Sequence, residues 1–221
     1  MPETKRLHWD GTGEKKYENG VSKGVLYKKD ETSNKWLGYA WNGLTSISES
    51  PEGADKTDLW ADNIKYASMR AAETFGGTIE AYTYPPEFES CNGEATLATG
   101  AVIGQQAREV FRLCYRTEQG NDESTTFGYK LHLVYGCTCS PSERSYETIN
   151  DNPDAIALSW EFDSTPVNAP GAMKPTSVIT VDSTRASSSG LTALENALYG
   201  TENTDPYMPD PDEVITLLAT T

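Results

Sequence analysis

The chain has 221 residues, enough to bury the core of one all-β domain, and 33 acidic against 18 basic residues give it a net charge of −15. A surface this acidic repels phosphate, which argues against tight non-specific binding of nucleic acid. No apolar run is long enough to span a bilayer, and none follows the basic residues near the N-terminus. We therefore expect neither a membrane segment nor an export signal.

The first distinctive segment begins at Trp41 and is polar and rich in turn signals. Asn42-Gly43 and Pro51-Glu52-Gly53 favour turns, because Gly accepts positive φ and Pro fixes its own φ. Apolar side chains are spaced irregularly among these turns: Leu44, Ile47, Leu59, Trp60 and Ile64. The pattern predicts a long projecting loop or hairpin at about residues 41–63. Its apolar side chains either fold back onto the core or complete the surface of a partner.

Several later segments alternate between apolar and polar side chains, as half-buried strands do. In residues 156–163, Trp160 and Phe162 share one parity, whereas Glu161 and Asp163 share the other. The remaining predicted strands are 74–84, 111–116, 129–135 and 176–182. Turn residues separate these strands, so the sequence predicts a mainly β chain folded as an antiparallel sandwich or barrel.

Helix is predicted at two places near the C-terminus. At about 190–199, Leu191, Leu194 and Leu198 lie on one stripe, and Gly200 is placed to end the helix. At about 211–219, an Asp at the cap position precedes a Pro at the first helical position. The first helix is expected to lie across a sheet, and the whole chain, 1–221, is expected to form a single domain.

Residues typical of catalysis are scarce. There is no nucleophile elbow, phosphate-binding loop or zinc-protease motif, and we interpret the only two histidines, His8 and His132, as bystanders. We predict no catalytic, metal-binding or cofactor-binding residue. A Cys-x-Cys pair lacks the spacing with which two thiolates share one zinc ion, so free thiols are favoured over a metal site. The four cysteines are Cys91, Cys114, Cys137 and Cys139.

One pair of carboxylates could still do chemistry. Glu161 and Asp163 would lie about 6.5 to 7 Å apart on one strand face, roughly the separation that glycosidases use. Acids on the wet face of a strand are also the usual means of keeping a sheet soluble, which is the interpretation we favour.

Many short stretches along nearly the whole chain are similar to segments of one known protein family, and they occur in the same order. They are WNGLTSISESPEGA from Trp41, ADNIKY from Ala61, FGGTIEAYTYP from Phe75, YRTE from Tyr115, YKLHLVYG from Tyr129, SYETINDNPDAI from Ser145, SWEF from Ser159 and MPDPDEVI from Met208. Together they resemble the major tail protein of long-tailed, non-contractile phages that infect Gram-positive bacteria. No single stretch is a catalytic fingerprint, so the specificity of the resemblance comes from their number and order.

The resemblance implies a structural virion protein rather than an enzyme, with a β-sandwich core and one flanking helix. It implies hexameric rings that stack into the tail tube, assembled in the host bacterial cytoplasm and then located in the virion tail. Duplex DNA would pass through this tube without tight binding. Other tail proteins are the expected partners: the tape measure, the terminator and the distal tail protein.

The resemblance also suggests roles for particular residues. The segment after Trp41 would join rings through its apolar side chains: Trp41, Leu44, Ile47, Leu59, Trp60 and Ile64. Acids on wet strand faces would line the bore, because acids let a duplex slide; the candidates are Glu80, Glu161 and Asp163. The alternative is that these acids face outward on the particle.

The sequence is also compatible with two other classes of protein. A carbohydrate-binding or glycoside-hydrolysing β-sandwich would fit the aromatic residues Trp36, Trp41 and Trp60 and the Glu161/Asp163 pair. A cell-surface adhesion module would fit the acidity and the loops, but it would require export.

Overall fold

A computed structural model describes residues 7–53, 55–146, 148 and 155–220, so the Ser145–Ile156 stretch lies partly outside the described residues. The strands are β1 (Tyr17–Lys29), β2 (Trp36–Trp41), β3 (Leu44–Glu49), β4 (Glu52–Gly53), β5 (Lys56–Ala61), β6 (Ile64–Arg70), β7 (Glu73–Ala81), β8 (Ala95–Ala98), β9 (Ala101–Ile103), β10 (Phe111–Gly120), β11 (Gly128–Cys139), β12 (Leu158–Ser164) and β13 (Val178–Asp182). The helices among the described residues are α1 (Phe88–Cys91), α2 (Ser188–Tyr199) and α3 (Pro211–Leu218). The chain is mainly β, as its alternation predicts. No helix among the described residues is both long and apolar enough to cross a membrane.

The main sheet is antiparallel and follows the order β2-β1-β10-β11-β12-β7-β3, with β13 beside β11 and β4 beside β7. Strands β2 and β3 stand at opposite ends of this order, yet only Asn42 and Gly43 separate them in the chain. Gly43 has a φ of 74°, a value that favours glycine. Two strands this close in sequence can occupy both ends of the sheet only if the sheet curls. It therefore forms a barrel-like wall around an interior.

Strand β11 belongs to two parts of this wall. Its residues Lys130–Val134 pair with β13, whereas Cys137–Cys139 pair with β12. The partner changes at Gly136, whose φ is 63° and where an added Cβ would collide with the carbonyl oxygen of Thr165. Only glycine fits both demands, so this residue permits the bend that joins the two parts.

Aromatic side chains fill the interior of the curled sheet. Phe88, carried by α1, packs against Trp41, Phe111 and Trp160 with ring centroids 4.6, 5.6 and 5.3 Å away. Tilted and edge-to-face pairs of this kind contribute about 0.5–1.5 kcal/mol each beyond the area that they bury. Phe88 is fully buried, so it closes one side of this core.

The second core lies on the other face of the sheet, under α2 and α3. It contains Leu131, Leu133 and Tyr135 from β11 and Leu194 and Leu198 from α2. These are the parities and the leucine stripe that the sequence indicates. Both predicted C-terminal helices are therefore present, and α2 lies across the sheet.

A buried arginine connects helix α3 to the sheet through an ion pair. The Arg112 guanidinium lies 4.3 Å from the centre of the Trp36 ring, and its Nη2 donates to Asp210 Oδ1 at 2.6 Å. Asp210 occupies the cap position of α3 without capping it, since its side chain bonds to Arg112 instead. The helix begins at Pro211, which needs no N–H partner at that position.

Candidate functional site

The segment predicted as one loop at 41–63 is divided differently in the structure. Its first residues complete β2 and form β3, which belong to the barrel, and the projecting element is the hairpin β5–β6, Lys56–Arg70. We call this hairpin the arm. Asp62 and Asn63 form its turn with φ values of 49° and 61°, the positive values that a tight hairpin turn requires.

The arm is the end of one long ribbon. Pairing between its two sides runs from Leu44 opposite Ala81 at the base to Ala61 opposite Ile64 at the tip. The base is part of the barrel wall, whereas β5 and β6 pair only with each other among the described residues. At a rise of about 3.3 Å per residue, the tip extends roughly 25 to 30 Å beyond Gly53.

The two faces of the arm differ in chemistry. Cross-strand partners share a face, so three pairs form an apolar face: Thr57 with Met69, Leu59 with Ala67, and Ala61 with Ile64. The alternate pairs form the opposite face: Lys56 with Arg70, Asp58 with Ser68, and Trp60 with Lys65. Ile64 is 65% exposed and Met69 57% exposed, so the apolar face meets water in the isolated chain.

The polar face of the arm is held together by Asp58. Its carboxylate lies 2.8 Å from Lys65 Nζ and accepts the Ser68 hydroxyl at 2.6 Å. Lys65 and Ser68 together hold the pKa of Asp58 below its ordinary value. The arm carries three basic and two acidic residues in a chain whose net charge is −15, so it is cationic while the rest of the chain is strongly acidic.

The six residues proposed to join rings fall into two groups. Leu59, Trp60 and Ile64 lie on the arm and are exposed. Trp41 is 3% exposed and donates from its indole nitrogen to the Thr83 carbonyl at 2.9 Å, and Leu44 and Ile47 pack against the interior core. These last three were wrongly placed on a projecting surface, because the strand parity at the barrel corner points them inward. Tyr66 and Met69, which the sequence did not single out, are also exposed on the arm.

The three acids proposed to line a bore share one face of the wall. Ser159 pairs with Glu80, Glu161 with Thr78, and Asp163 with Gly76, so all three acids point away from the core. All three are exposed. Their neighbours on this face are polar and uncharged: Ser46, Ser48, Thr78 and Ser159. Strands β3, β7 and β12 contain no Lys or Arg. We call this surface the acidic face; whether it faces a bore stays a prediction.

A cluster of polar side chains lies where the ribbon leaves the barrel. Glu49, the last residue of β3, accepts the hydroxyl of Tyr115, and its Oε1 lies 3.5 Å from His132 Nδ1. The Tyr115 and His132 rings are stacked, with centroids 4.6 Å apart and an interplanar angle of 2°. We call these three residues the root clasp. The nearby imidazole, more than the Tyr115 hydroxyl, lowers the pKa of Glu49, whereas burial and then Glu49 raise that of Tyr115.

His132 therefore has close partners, although the sequence indicated a bystander on the wet side of its strand. Its Nε2 lies 3.0 Å from the Thr117 hydroxyl, and little of its side chain is exposed. Nothing local in the sequence marks this arrangement, because Glu49 comes from a strand far away in the chain.

The thiols are buried. Cys91, Cys114, Cys137 and Cys139 are all free, and burial raises the pKa of Cys91 to about 11 and those of Cys114 and Cys139 to about 12. A thiol that stays protonated is a poor nucleophile and metal ligand. In the part of the chain that the structure describes, no group of three or more His, Cys, Asp or Glu residues could hold a metal ion.

The aromatic residues that favoured carbohydrate binding lie in three different settings. Trp41 is in the core, Trp36 is half-buried under the Arg112 guanidinium, and Trp60 is on the arm. Glu161 and Asp163 line a shallow cleft of about 230 Å³ whose other residues include Ser50, Thr74 and Gly76. None of the three tryptophans lines this cleft.

Comparison with known proteins gives similarities of structure only. No protein-family model and no curated protein sequence matches the chain. Two similar solved structures come from an extracellular contractile injection system, PVC, in the extended state. A chain of its sheath–tube complex has a TM-score of 0.39 and 11% identity, covering 72% of this chain and 88% of its own. A chain of its sheath/tube terminator has a TM-score of 0.37 and 12% identity, covering 75% of this chain and 97% of its own.

Proposed function

We propose that this protein is the structural subunit of a phage tail tube, in which hexameric rings stack to form a conduit for DNA. The observation that carries the proposal is an arm that projects from the barrel with an exposed apolar face. The resemblance of the sequence to major tail proteins of non-contractile phages supports it. The proposed setting is the virion tail, assembled in the host cytoplasm with a tape measure, a terminator and a distal tail protein.

The arm has physical reasons to bind a partner. A two-stranded hairpin that buries nothing is at best marginally stable in water, so burial against another surface would stabilise it. Fully burying a large apolar side chain such as Ile64 or Met69 contributes about 1.5–3 kcal/mol. An exposed apolar face with charged residues behind it is typical of an interaction surface.

Charge favours a second copy of the chain as that partner. Two copies at −15 each repel one another, and this repulsion opposes any contact between their acidic surfaces. The cationic arm is the part of the molecule that an acidic neighbour attracts. The proposed contact between rings is therefore the arm of one copy on the body of the next.

The open strand edges suit contacts within a ring. Within the described residues, β3 pairs only with β7 and β13 only with β11. The opposite end of the sheet is covered by the chain itself, since Gly38 N donates to Pro206 O and Met208 N to Trp36 O, at 2.9 and 3.0 Å. Unpaired edges favour pairing with another chain, and a closed ring satisfies them.

The acidic face is proposed to line the bore. Acids and hydroxyls without Lys or Arg present nothing that holds phosphate, so a duplex would pass without the salt-dependent attraction of a DNA-binding surface. Like charges across the bore are tolerable because solvent screens them beyond a Debye length of about 8 Å at physiological ionic strength.

Electron microscopy of the purified chain over a range of concentrations tests the proposal, with light scattering to give the mass in solution. We expect rings or tubes at high concentration, or on addition of a tail initiator complex. A particle that stays monomeric under all of these conditions contradicts the proposed function.

A further inference from the structure

The long ribbon is attached to the barrel unequally on its two sides. On one side, β7 is hydrogen-bonded along its length to β12, which continues the wall. On the other side, β3 pairs only with β7 within the described residues, so only side chains connect it to the opposite wall. Leu44 and Ile47 supply the apolar contacts, and Glu49 is the last residue of β3.

A glycine with a positive φ follows Glu49 in the ribbon. Gly53 has a φ of 91°, and an added Cβ there would lie 2.7 Å from the carbonyl oxygen of Ala72 on the facing strand. Strands β4 and β5 are separated just after Gly53, and β6 and β7 are separated at Ala71 and Ala72. At this level, between the root clasp and the arm, Ala71 N donates to the Asp55 carbonyl oxygen at 3.0 Å, so the two sides of the ribbon stay joined and the arm continues the direction of its base.

The root clasp connects β3 to strands β10 and β11 on the opposite wall of the barrel. Tyr115 and His132 are cross-strand neighbours on β10 and β11, and both strands pair with others on their far sides. Their stacked rings form a rigid support, and both direct a polar atom at the Glu49 carboxylate. Glu49 thus connects the ribbon to the part of the sheet that is hydrogen-bonded on both sides.

The strength of the interaction between Glu49 and His132 depends on the protonation state of the imidazole. A neutral imidazole can direct an N–H at Glu49 through Nδ1 only in the tautomer whose Nε2 accepts the Thr117 hydroxyl; in the other tautomer Nε2 donates to Thr117 and Nδ1 has no proton for Glu49. A protonated imidazole presents an N–H on both nitrogens, and its contact with the Glu49 carboxylate becomes an ion pair. Nδ1 is buried and has no hydrogen-bond partner among the described residues at its present distance of 3.5 Å from Glu49.

Other charged groups near the imidazole are already paired. The titratable groups that face His132 are Glu49 from β3 and Tyr115 from β10. On its own strand, Lys130 lies two residues away on the same face, where it is bonded to Glu18 of β1 and lies opposite Asp182 of β13. Asp182 accepts the Thr184 hydroxyl at 2.7 Å. Glu49 is therefore the carboxylate that responds when His132 takes up a proton.

We infer that Glu49 is the positioning residue of the arm: through Tyr115 and His132 it fixes the direction in which the arm leaves the barrel, and protonation of His132 tightens that hold. The inference concerns a single copy of the chain and goes beyond the proposed function. It is therefore tested on dilute protein that has not assembled, and it can fail or succeed whether or not the protein forms tubes.

The test follows the direction of the arm by pulsed electron paramagnetic resonance, which gives the distribution of distances between two spin labels. One label replaces the exposed Tyr66 on the arm (Tyr66→Cys), and the other replaces Glu202 on an exposed turn of the body (Glu202→Cys). The native thiols are buried and resist labelling. Samples are measured at a mildly acidic and at a mildly alkaline pH. We expect a narrower distribution of distances at the lower pH.

Four variants assign this pH dependence to the clasp. Glu49→Gln keeps the size of the side chain and removes its charge, and His132→Gln keeps a hydrogen-bonding group that does not titrate. Both are expected to give one broad distribution at both pH values. The matched controls are His8→Gln, which removes the only other imidazole, and Glu52→Gln, which removes a nearby exposed carboxylate. Both controls are expected to keep the wild-type change.

The inference is overturned if the wild-type distribution does not change with pH, or if it changes equally in Glu49→Gln. Loss of the change in His8→Gln, with the change kept in His132→Gln, also overturns it. Circular dichroism shows whether each variant is folded. If His132→Gln does not fold, the wild type and Glu49→Gln still decide the outcome.

Discussion

The arm and the barrel wall are built from the same ribbon, but they face different surroundings. In β7, the apolar parity packs on Trp160 and Phe162, and in β6 the apolar residues Ile64 and Met69 face water. Both regions are antiparallel strands with alternating side chains. Alternation therefore shows which face of a strand requires burial, but it does not show which surface will bury that face.

The two regions should therefore respond to mutation in opposite ways. A change in the wall should reduce the stability of one chain, because its contacts are made within that chain. A change on the arm should leave the chain folded and reduce association, because its contacts are missing until a partner arrives.

The largest expected effect is a loss of stability from a mutation in the barrel wall. Phe88→Ala removes a buried ring that contacts Trp41, Phe111 and Trp160, and it should lower the free energy of unfolding by about 3–5 kcal/mol. Urea denaturation followed by circular dichroism measures the change. Leu97→Ala, at an exposed position of β8, is the control and should change stability by no more than about 0.5 kcal/mol. Equal losses in both variants would show that the aromatic interior is not the main core.

The next effect is expected on the apolar face of the arm. Ile64→Asp should leave the unfolding curve unchanged but weaken association by about 2 kcal/mol or more per contact, because a buried charge would lack a partner. Sedimentation and electron microscopy report the loss of tubes. Leu97→Asp places the same charge on the hairpin β8–β9 and is the matched control.

Trp60→Asp tests the other face of the arm. Trp60 shares a face with Lys65 by register, so Ile64→Asp and Trp60→Asp separate the two faces. If Trp60→Asp alone prevents tubes, the docking face is the polar one. Normal tubes from both variants would show that the arm does not join rings.

A smaller effect is expected from the acidic face. Replacing Glu80, Glu161 and Asp163 together with Lys should leave folding intact and make assembled tubes retain duplex DNA. Each new phosphate contact should add about 0.9 to the slope of log binding constant against log salt concentration. Retention assays at several salt concentrations measure the slope. Tubes of the triple variant that bind no DNA at low salt would show that these acids point outward.

The smallest effect concerns Glu49 and pH. The pKa of this carboxyl is lowered in the folded chain, mainly by His132, so the folded state gains stability above the ordinary glutamate pKa near 4.5. That gain is lost as pH falls through the lowered value. Unfolding experiments between about pH 6 and about pH 3 should show a steeper loss in the wild type than in Glu49→Gln. Parallel curves for the two proteins would exclude the contribution.

Local alternation was sufficient to predict much of the wall. The strands β7, β10, β11, β12 and β13 and the helices α2 and α3 all have regular periods in the sequence, and each is present. Strand β1 was missed because its pairing shifts between Asn19 and Val21 and again between Ser22 and Val25. Those irregularities disrupt the period of two on which the prediction depends.

The candidate site was predictable only where its signal is local. The exposed apolar residues of the arm and the parity of the three acids can be seen in the sequence. The turn at Asp62-Asn63 lacks glycine, so the end of the arm was placed too early, and the Asn42-Gly43 signal marked a barrel corner rather than a loop. The root clasp depends on three distant strands meeting, and a single sequence carries no sign of that.

A projecting arm that binds a surface unlike itself gives an assembly a direction. Such a contact is head-to-tail, so the two ends of a stack can never be equivalent: one end presents unused arms and the other presents unused docking surfaces. Growth from the two ends would then have different rate constants, and one capping protein could not close both. In a tail built by this arm, the partner at each end must recognise a chemically different surface.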